Sequence, residues 1–273
     1  MCAPDENSGA PGTAFASGPN TCGPASDGNR YRLATQVYAC RTDGGVVFLD
    51  ASRDRYYGLG GTEIARLLDW VVDCQNLDRG VEGGSDTPIV AERLERLANM
   101  LMRQGLLCLS KDSRDNATSG RASSDARLQL HAPQLDPPEL AAVNARPTRP
   151  RDMLNFLLAC ARAAWSLRRS SLGTIAARVT GARCAEESSE LGPTIQLTRV
   201  FQKLRRWLFS GKDRCLFNSL ALVYFLQYYH QFPYLVIGVK TSPFAAHAWV
   251  QKDRVVLDGN PASIGHFTPL LVA

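Results

Sequence analysis

The sequence lacks the features of several protein classes. No apolar run approaches the roughly 18–20 residues that cross a bilayer, and the longest candidate, Met153–Trp165, contains Arg162. The first residues have neither a Lys/Arg start nor an apolar core, which predicts that no secretory signal is present. Aromatic residues make up 8%, charged residues 21% and hydrophobic residues 45% of the 273 residues. These proportions are typical of globular protein and exclude a wholly disordered or collagen-like chain.

Cysteine and histidine are present but scattered. No two of the eight cysteines are closer than 18 residues, so no CxxC pair exists, and the four histidines are equally dispersed. This spacing excludes a zinc site of the usual kind and predicts that no metal is bound. Together with the expected absence of a secretory signal, it predicts a cytoplasmic protein with reduced thiols.

Charge and composition are unevenly distributed along the chain. Residues 1–150 carry 16 Lys/Arg against 19 Asp/Glu, whereas residues 151–273 carry 15 against 7. At roughly 100–200 residues per domain, this length predicts about two domains. Gly, Pro, Ala, Ser and Asn dominate residues 1–29, which predicts a disordered tail, and Pro- and Ser-rich tracts predict a linker at 111–150. The two domains are therefore expected at 30–110 and at 151–273.

The first domain is predicted to be a small, independent α+β unit. Alternating apolar residues and turn signals predict three short strands, at Gln36–Arg41, Val46–Asp50 and Arg55–Leu59. The apolar spacing then becomes helical and predicts an amphipathic helix over 64–72. A second helix is expected to begin at Pro88, because proline is favoured at the first helical position.

The second domain is predicted to start with helices and to end in antiparallel sheet. Apolar periodicity predicts helices in four segments, namely Met153–Ser166, Leu172–Val179, Leu197–Leu208 and Cys215–Tyr229. Strand patterns follow at Tyr234–Lys240, Ala246–Gln251, Arg254–Asp258 and Leu270–Val272. Four basic residues share the exposed face of the third helix and are interpreted as a solvated face: Arg199, Lys203, Arg205 and Arg206.

Three residues near the end of the chain suggest nucleophilic chemistry. Cys215 begins a predicted helix, whose unpaired amides and partial positive charge favour a thiolate and can donate to an oxyanion. A hairpin closed by Lys252 and Asp253, or by the four-residue loop Gln251–Arg254, would place His247 directly opposite Asp258, with Cβ atoms ~4.5–5.5 Å apart. That separation suits a carboxylate that orients an imidazole while the other ring nitrogen faces a thiol.

The same residues also have structural interpretations. A cysteine that begins an apolar helix commonly belongs to the core, and a lone strand histidine is commonly a structural residue. A three-residue hairpin loop would place Asp258 on the opposite face of the sheet and separate it from His247. Spacing alone therefore leaves the Cys-His-Asp triad as a hypothesis.

A resemblance to a known family bears on this hypothesis. The segments Cys215–Leu222 (CLFNSLAL), Leu235–Val239 (LVIGV) and Pro243–Val250 (PFAAHAWV) resemble the transglutaminase-like leader peptidases of lasso-peptide biosynthesis, the microcin-processing B family. The match extends over 214–258. The resemblance implies a papain-like, transglutaminase-type cysteine peptidase fold without a metal. The catalytic residues of the family fall on Cys215, His247 and Asp258.

The first domain resembles the PqqD-like recognition elements of such pathways, which are winged-helix-like. The matching segments are Arg55–Leu59 (RYYGL), Ile64–Leu68 (IARLL) and Leu101–Leu107 (LMRQGLL). The resemblance implies that a leader peptide adds as a strand beside the third strand and packs on the last helix. The implied contacts are Arg55, Tyr56, Tyr57, Gly58, Leu59, Leu97 and Leu101. A plain winged helix that binds DNA is the alternative, but the acidic balance of 1–150 disfavours phosphate contacts.

Together the resemblances imply a fused α+β protein that grips the leader of a ribosomally made precursor and cleaves it. Cys215 would attack the scissile carbonyl, His247 would transfer the proton and Asp258 would orient His247. The implied partners are the precursor peptide and an asparagine-synthetase-like lasso cyclase, which forms the macrolactam; no nucleic acid and no membrane are expected. No intrinsic cofactor is implied, and ATP dependence would arise through the cyclase. Two alternatives remain, a transglutaminase-like acyl transferase and a non-enzymatic protein that binds or delivers the leader.

Overall fold

The structure is a computed structural model that describes seven parts of the chain. They are residues 31–68, 71, 88–109, 146–184, 190–208, 214–259 and 261–273. The predicted tail at 1–29 and most of the predicted linker, up to residue 145, lie outside the described residues.

The first half combines two small sheets with two helices. Its elements are β1 (Tyr31–Leu33), β2 (Val37–Thr42), β3 (Gly45–Asp50), β4 (Arg55–Leu59), α1 (Thr62–Leu67), α2 (Pro88–Arg103) and β5 (Leu107–Leu109). Strands β2, β3 and β4 form an antiparallel sheet in that order, as the three predicted strands suggest, while β1 pairs with β5. The pairing of β1 with β5 was not predicted. The helix predicted over 64–72 is also shorter than expected, because Val71 leaves it and bridges to Tyr31.

The three-stranded sheet is covered on both faces. Side chains alternate along a strand, so one face carries Val37 and Phe48 and packs on α1 and α2. The opposite face carries Tyr38 and Leu49, which belong to the same buried cluster as the helices of the second half. One small sheet therefore serves two hydrophobic cores.

The second half places a buried helix against a four-stranded sheet. Its elements are α3 (Pro150–Arg169), α4 (Leu172–Cys184), α5 (Leu191–Leu208), α6 (Cys215–Gln227), β6 (Tyr234–Thr241), β7 (Phe244–Lys252), β8 (Val255–Val256), α7 (Pro261–Ile264) and β9 (Thr268–Val272). The antiparallel order is β8-β7-β6-β9. Helix α6 is apolar on all sides and buries eight consecutive residues, 219–226, which is typical of a helix at the centre of a domain.

The two halves are joined by packing and by hydrogen bonds. Backbone N–H groups at the start of α4 donate to the first half, from Leu172 to the Asp54 carboxylate (2.9 Å) and from Gly173 to the Ala51 carbonyl (2.8 Å). The N-terminus of α4 is thus satisfied by partners from the turn between β3 and β4. The first half was predicted to be independent; the structure corrects this, because its sheet is part of the core of the second half.

Candidate active site

Cys215 is the first residue of α6. The preceding residue, Arg214, makes no side-chain cap to the helix, so the first amides of α6 are not satisfied by that side chain. The thiol is half-buried and hydrogen bonds to His247, to the backbone N–H of Ala248 and to that of Leu216. The hydrogen bond with His247 is the strongest of the influences that lower the pKa of Cys215, and it outweighs the opposing effect of burial. The arrangement therefore favours a thiolate.

His247 lies in β7, opposite Gly238 of β6. Glycine is required there, since a Cβ on Gly238 would come within 2.7 Å of the Trp249 ring and 3.1 Å of the Phe267 Cβ. The Phe267 ring in turn packs against the His247 ring, with centroids 5.5 Å apart. The hydrogen bond with the Cys215 thiolate raises the pKa of His247, although partial burial opposes it. An imidazolium beside a thiolate is thus stabilised by its surroundings.

Asp258 lies in this site, but the strand pairing that places it there differs from the predicted pairing. Strands β7 and β8 pair Gln251 with Val256, so the turn is formed by residues 253 and 254. Both predicted loops, Lys252-Asp253 and Gln251–Arg254, were therefore wrong, and Asp258 is not directly opposite His247. Lys252 stays in the strand because its ammonium is buried and hydrogen bonds to Thr194 Oγ1 at 3.1 Å.

The new register still keeps the two side chains on one face. It shifts the expected pairing by two residues, and an even shift does not turn a side chain to the other face. The backbone bends after β8, and the Asp258 carboxylate accepts hydrogen bonds from the Val250 N–H and, at 2.6 Å, from Ser219 Oγ. Burial raises the pKa of Asp258 to about 6, although these hydrogen bonds oppose it. The charge of Asp258 helps to raise the pKa of His247.

Ser219 is a site residue that the sequence analysis did not single out. It lies one helical turn after Cys215, and its hydroxyl is within hydrogen-bond distance of both the Asp258 carboxylate and the Ala248 carbonyl (3.1 Å). It is completely buried. The four-residue spacing from the cysteine was a signal for it, because residues four apart share a helix face. Ser219 connects α6 to the strand that carries His247.

The basic face of α5 also reaches the site. Arg205 lies close enough to Asp258 for its charge to lower the pKa of that carboxyl. Arg199, Lys203 and Arg206 line a groove of about 450 Å³ together with Leu257. The carbonyl of Leu257 accepts a hydrogen bond from Gln202 of the same helix at 3.0 Å. The face that was interpreted as merely solvated is thus adjacent to Asp258.

The other described cysteines are poorer nucleophiles. Burial alone raises the pKa of Cys160 to about 11, because α3 offers its thiol no stabilising partner charge. Cys40 is completely buried, and the Cys108 thiol faces the carbonyls of Arg32 and Leu33. Among the four cysteines whose side chains the structure describes, Cys215 is therefore the best candidate for a nucleophile.

The predicted leader-binding strand lies at the junction of the two halves. Strand β4 pairs with β3 on one side, and on its other side no strand of the described residues pairs with it. Tyr56 packs against the same buried core as Cys215. On α2, Leu97 is partly exposed, whereas Leu101 is completely buried. The expectation that Leu101 contacts the leader is therefore wrong, because its side chain is buried in the core and has no surface exposed to a peptide.

Two further properties concern metals and membranes. Among the described residues, no three or more His, Cys, Asp or Glu side chains come together in a way that could hold a metal ion. No helix in the described parts is both long and apolar enough to cross a membrane.

Comparison with known proteins identifies the second half. Residues 154–272 match the family model described as the transglutaminase-like superfamily. The chain therefore carries a C-terminal transglutaminase-like domain, a fold typical of cysteine peptidases and acyltransferases, within a mixed helix and sheet structure. Neither the curated proteins nor the solved structures gave a significant match.

Proposed function

We propose that the chain is a cysteine peptidase that binds and removes the leader peptide of a ribosomally made lasso-peptide precursor. The observation that carries the peptidase assignment is the hydrogen-bonded pair of Cys215 and His247 at the N-terminus of α6, inside a transglutaminase-like domain. The choice of a lasso-peptide leader as the substrate rests on the resemblance of residues 214–258 to the leader peptidases. Asp258 lies beside this pair and acts on His247 through its charge. These are the groups that peptide-bond cleavage through a thioester requires.

The proposed reaction has two steps. The Cys215 thiolate attacks the scissile carbonyl, and amides at the start of α6 stabilise the oxyanion. The C–N bond then breaks, and His247 donates its proton to the leaving amine, which becomes the new N-terminus of the core peptide. In the second step His247 removes a proton from water, the resulting hydroxide attacks the thioester, and the leader leaves with a free carboxylate while the thiolate is regenerated.

Leader recognition is assigned in this proposal to strand β4. A peptide strand can add to the outer edge of β4 through backbone hydrogen bonds, with residues Arg55, Tyr56, Tyr57, Gly58 and Leu59 as its contacts and Leu97 as an apolar neighbour. The support for this assignment is that β4 lies next to the core against which Cys215 packs. A bound leader would then be delivered to the nucleophile by the domain that binds it.

The partners and conditions of the reaction belong to the same proposal. An asparagine-synthetase-like cyclase would close the macrolactam on the amine that cleavage releases, and any need for ATP would arise through that cyclase. The peptidase itself would need no cofactor and would act in the cytoplasm. A short precursor gene and a cyclase gene beside this one would be the expected genetic context.

The decisive experiment compares two cysteine variants of the full chain on the precursor. We expect Cys215→Ala to abolish leader removal, a loss of at least ~10³-fold, and to leave leader binding within about twofold. Cys160→Ala is the matched control and should cleave normally, because its thiol is buried and protonated. Mass spectrometry follows cleavage and fluorescence anisotropy follows binding of a labelled leader. Cleavage by Cys215→Ala would exclude Cys215 as the nucleophile, and a wild type that binds without cleaving would indicate a delivery protein.

Acyl transfer to an amine is the second candidate, because the matching family model is transglutaminase-like. The same thioester would be captured by an amine in place of water. The precursor is incubated with an excess of a primary amine, and the mass of the released leader is measured. We expect the released leader to be mainly the free acid. If the main product is instead a leader joined to the amine through an amide bond, the enzyme is a transferase.

A further inference from the structure

A groove runs between the two halves, next to the face of β4 that points toward the catalytic domain. It has a volume of about 310 Å³ and is lined on one side by Tyr56 and Gly58 of β4 and on the other by Thr241 and Phe244 of the β6–β7 hairpin. The Tyr56 and Phe244 rings meet edge to face, with centroids 5.8 Å apart. The groove is thus walled by two aromatic rings from different halves of the chain.

Gly58 keeps this groove open. It pairs with Val47 in the sheet and shares a face with Tyr56, since side chains two apart in a strand point the same way. A Cβ built on Gly58 would have no heavy atom within 4 Å, so the space in front of it is unfilled. A larger residue at position 58 would place its side chain in the groove. A glycine weakens a strand and often marks a place where a ligand approaches closely.

The groove lies close to the catalytic site, because Tyr56 is near enough to Cys215 to be affected by its charge. Tyr56 packs against the core cluster that also contacts Cys215. Phe244 precedes His247 by three residues in β7, a distance of ~10 Å in an extended strand. Burial raises the pKa of Tyr56, and the charges of Asp54 and Cys215 raise it further, so the phenol stays neutral beside the nucleophile. Phe244 is 53% exposed, although it is a large apolar side chain.

We propose that this groove is a specificity subsite that holds one apolar side chain of the substrate peptide, two to four residues on the leader side of the bond that Cys215 attacks. The inference rests on the proposed function, because it takes the substrate to be a peptide that runs from β4 toward Cys215. An apolar side chain fits because the walls are two aromatic rings. The specificity then comes from both halves of the chain together, and neither half contains the subsite alone.

The test uses covalent probes and does not depend on hydrolysis. Tetrapeptides that end in a vinyl sulfone alkylate an activated thiol, and each of their four residues is changed in turn from Leu to Asp. The full-length wild type is compared with Gly58→Leu, whose added side chain fills the groove. Gly181→Leu on α4 is the matched control, because a Cβ there also meets nothing within 4 Å. Intact-mass spectrometry gives the rate of labelling at Cys215, with Cys215→Ala as the blank and iodoacetamide as a probe without a peptide.

In the wild type and in Gly181→Leu, we expect the labelling rate to be at least tenfold higher with Leu than with Asp at one position of the peptide. That position should be the second, third or fourth residue from the sulfone. Gly58→Leu should lose that preference to within about twofold. Its peptide rates are each divided by its own iodoacetamide rate, so that any change in the reactivity of the thiol cancels. Equal rates for Leu and Asp at all of these positions in the wild type, or an undiminished preference in Gly58→Leu, would overturn the subsite. The wild type could show the expected preference for Leu, lose it in Gly58→Leu, and yet fail to cleave the precursor. That result would support the subsite and contradict the proposed peptidase activity.

Discussion

An aspartate from another part of the chain lies near each end of helix α6, and the pKa values of the two aspartates are shifted in opposite directions. Near its C-terminal end, Asp152 of α3 accepts hydrogen bonds from the Tyr229 hydroxyl (2.6 Å), the Arg149 N–H (2.7 Å) and the Arg146 guanidinium (2.8 Å). Burial alone would raise its pKa, but these partners hold the pKa of Asp152 at about 2. At the other end burial dominates, and the pKa of Asp258 rises to about 6.

The difference lies in the charge of the partners. Asp152 has a guanidinium in direct bidentate contact, which compensates for the loss of water. Asp258 receives its hydrogen bonds from a hydroxyl and an amide, while Arg205 and His247 act only through charge. Its ionised form is therefore costly to the fold. A carboxylate retained at such a cost, next to a thiolate and an imidazole, is typical of a functional site.

The largest expected effect separates the two aspartates by activity. Asp258→Asn removes the charge that stabilises the His247 imidazolium, so we expect kcat/KM for leader removal to fall by roughly 10²–10⁴-fold. Asp152→Asn lies at the far end of α6 and should keep kcat/KM within about threefold under conditions in which it is folded. Initial rates by mass spectrometry, with circular dichroism on both variants, check this. Equal losses in the two variants would show that Asp258 acts only on the fold.

The next prediction concerns the free energy of unfolding, which we expect to change in opposite directions when Asp258 and Asp152 are replaced. The folded-state pKa of Asp258 is raised, so its contribution to stability is present below the ordinary aspartate pKa of 3.8 and is lost as pH rises through about 6. Asp258→Asn should therefore increase the free energy of unfolding by about 2–3 kcal/mol at pH 8, and by only about 1 kcal/mol at pH 4.5. The variant would be more stable and less active.

The folded-state pKa of Asp152 is lowered, so its contribution is present above 3.8 and is lost only as pH falls through about 2. Asp152→Asn should reduce the free energy of unfolding by about 2 kcal/mol at both pH 8 and pH 4.5. Urea unfolding at the two pH values measures both variants. A wild type that is at least as stable as Asp258→Asn at pH 8 would contradict the assignment of a costly carboxylate.

The smallest expected effect sharpens the comparison through one hydrogen bond. Ser219→Ala removes a donor from the Asp258 carboxylate, which raises the pKa of Asp258 further and lowers kcat/KM by roughly tenfold. The acid limb of the pH profile of kcat/KM should move to higher pH. Ser166→Ala is the matched control, since Ser166 is also a buried helical serine and its hydroxyl contacts Tyr224 at 3.2 Å. An acid limb that shifts equally in both variants would argue against a role for Ser219 at Asp258.

Much of the local structure could be predicted from the sequence. Strand β4 occupies Arg55–Leu59 as predicted, and α6 begins at Cys215 as predicted. Turn residues, strand alternation and a long apolar run are local signals, so they predict such elements without knowledge of their neighbours. The prediction of Cys215 and His247 as site residues rested on these local elements, and the two side chains are hydrogen-bonded to each other in the structure.

Other features depended on residues far apart in the chain. The pairing of β7 with β8 was predicted wrongly: Lys252, which was expected in the turn, lies in β7, and its ammonium hydrogen bonds to Thr194 of α5. The contact of Ser219 with Asp258 spans 39 residues and places the carboxylate beside His247.

The sequence by itself determined most of the helices and strands and which cysteine begins an apolar helix, because periodicity and turn chemistry act over a few residues. Only the tertiary structure decided that the β2–β3–β4 sheet is shared by two cores, that Tyr56 meets Phe244, and that Ser219 hydrogen bonds to Asp258. Burial and electrostatic environment depend on which surfaces pack together, and this packing brings the first half of the chain to the catalytic cysteine.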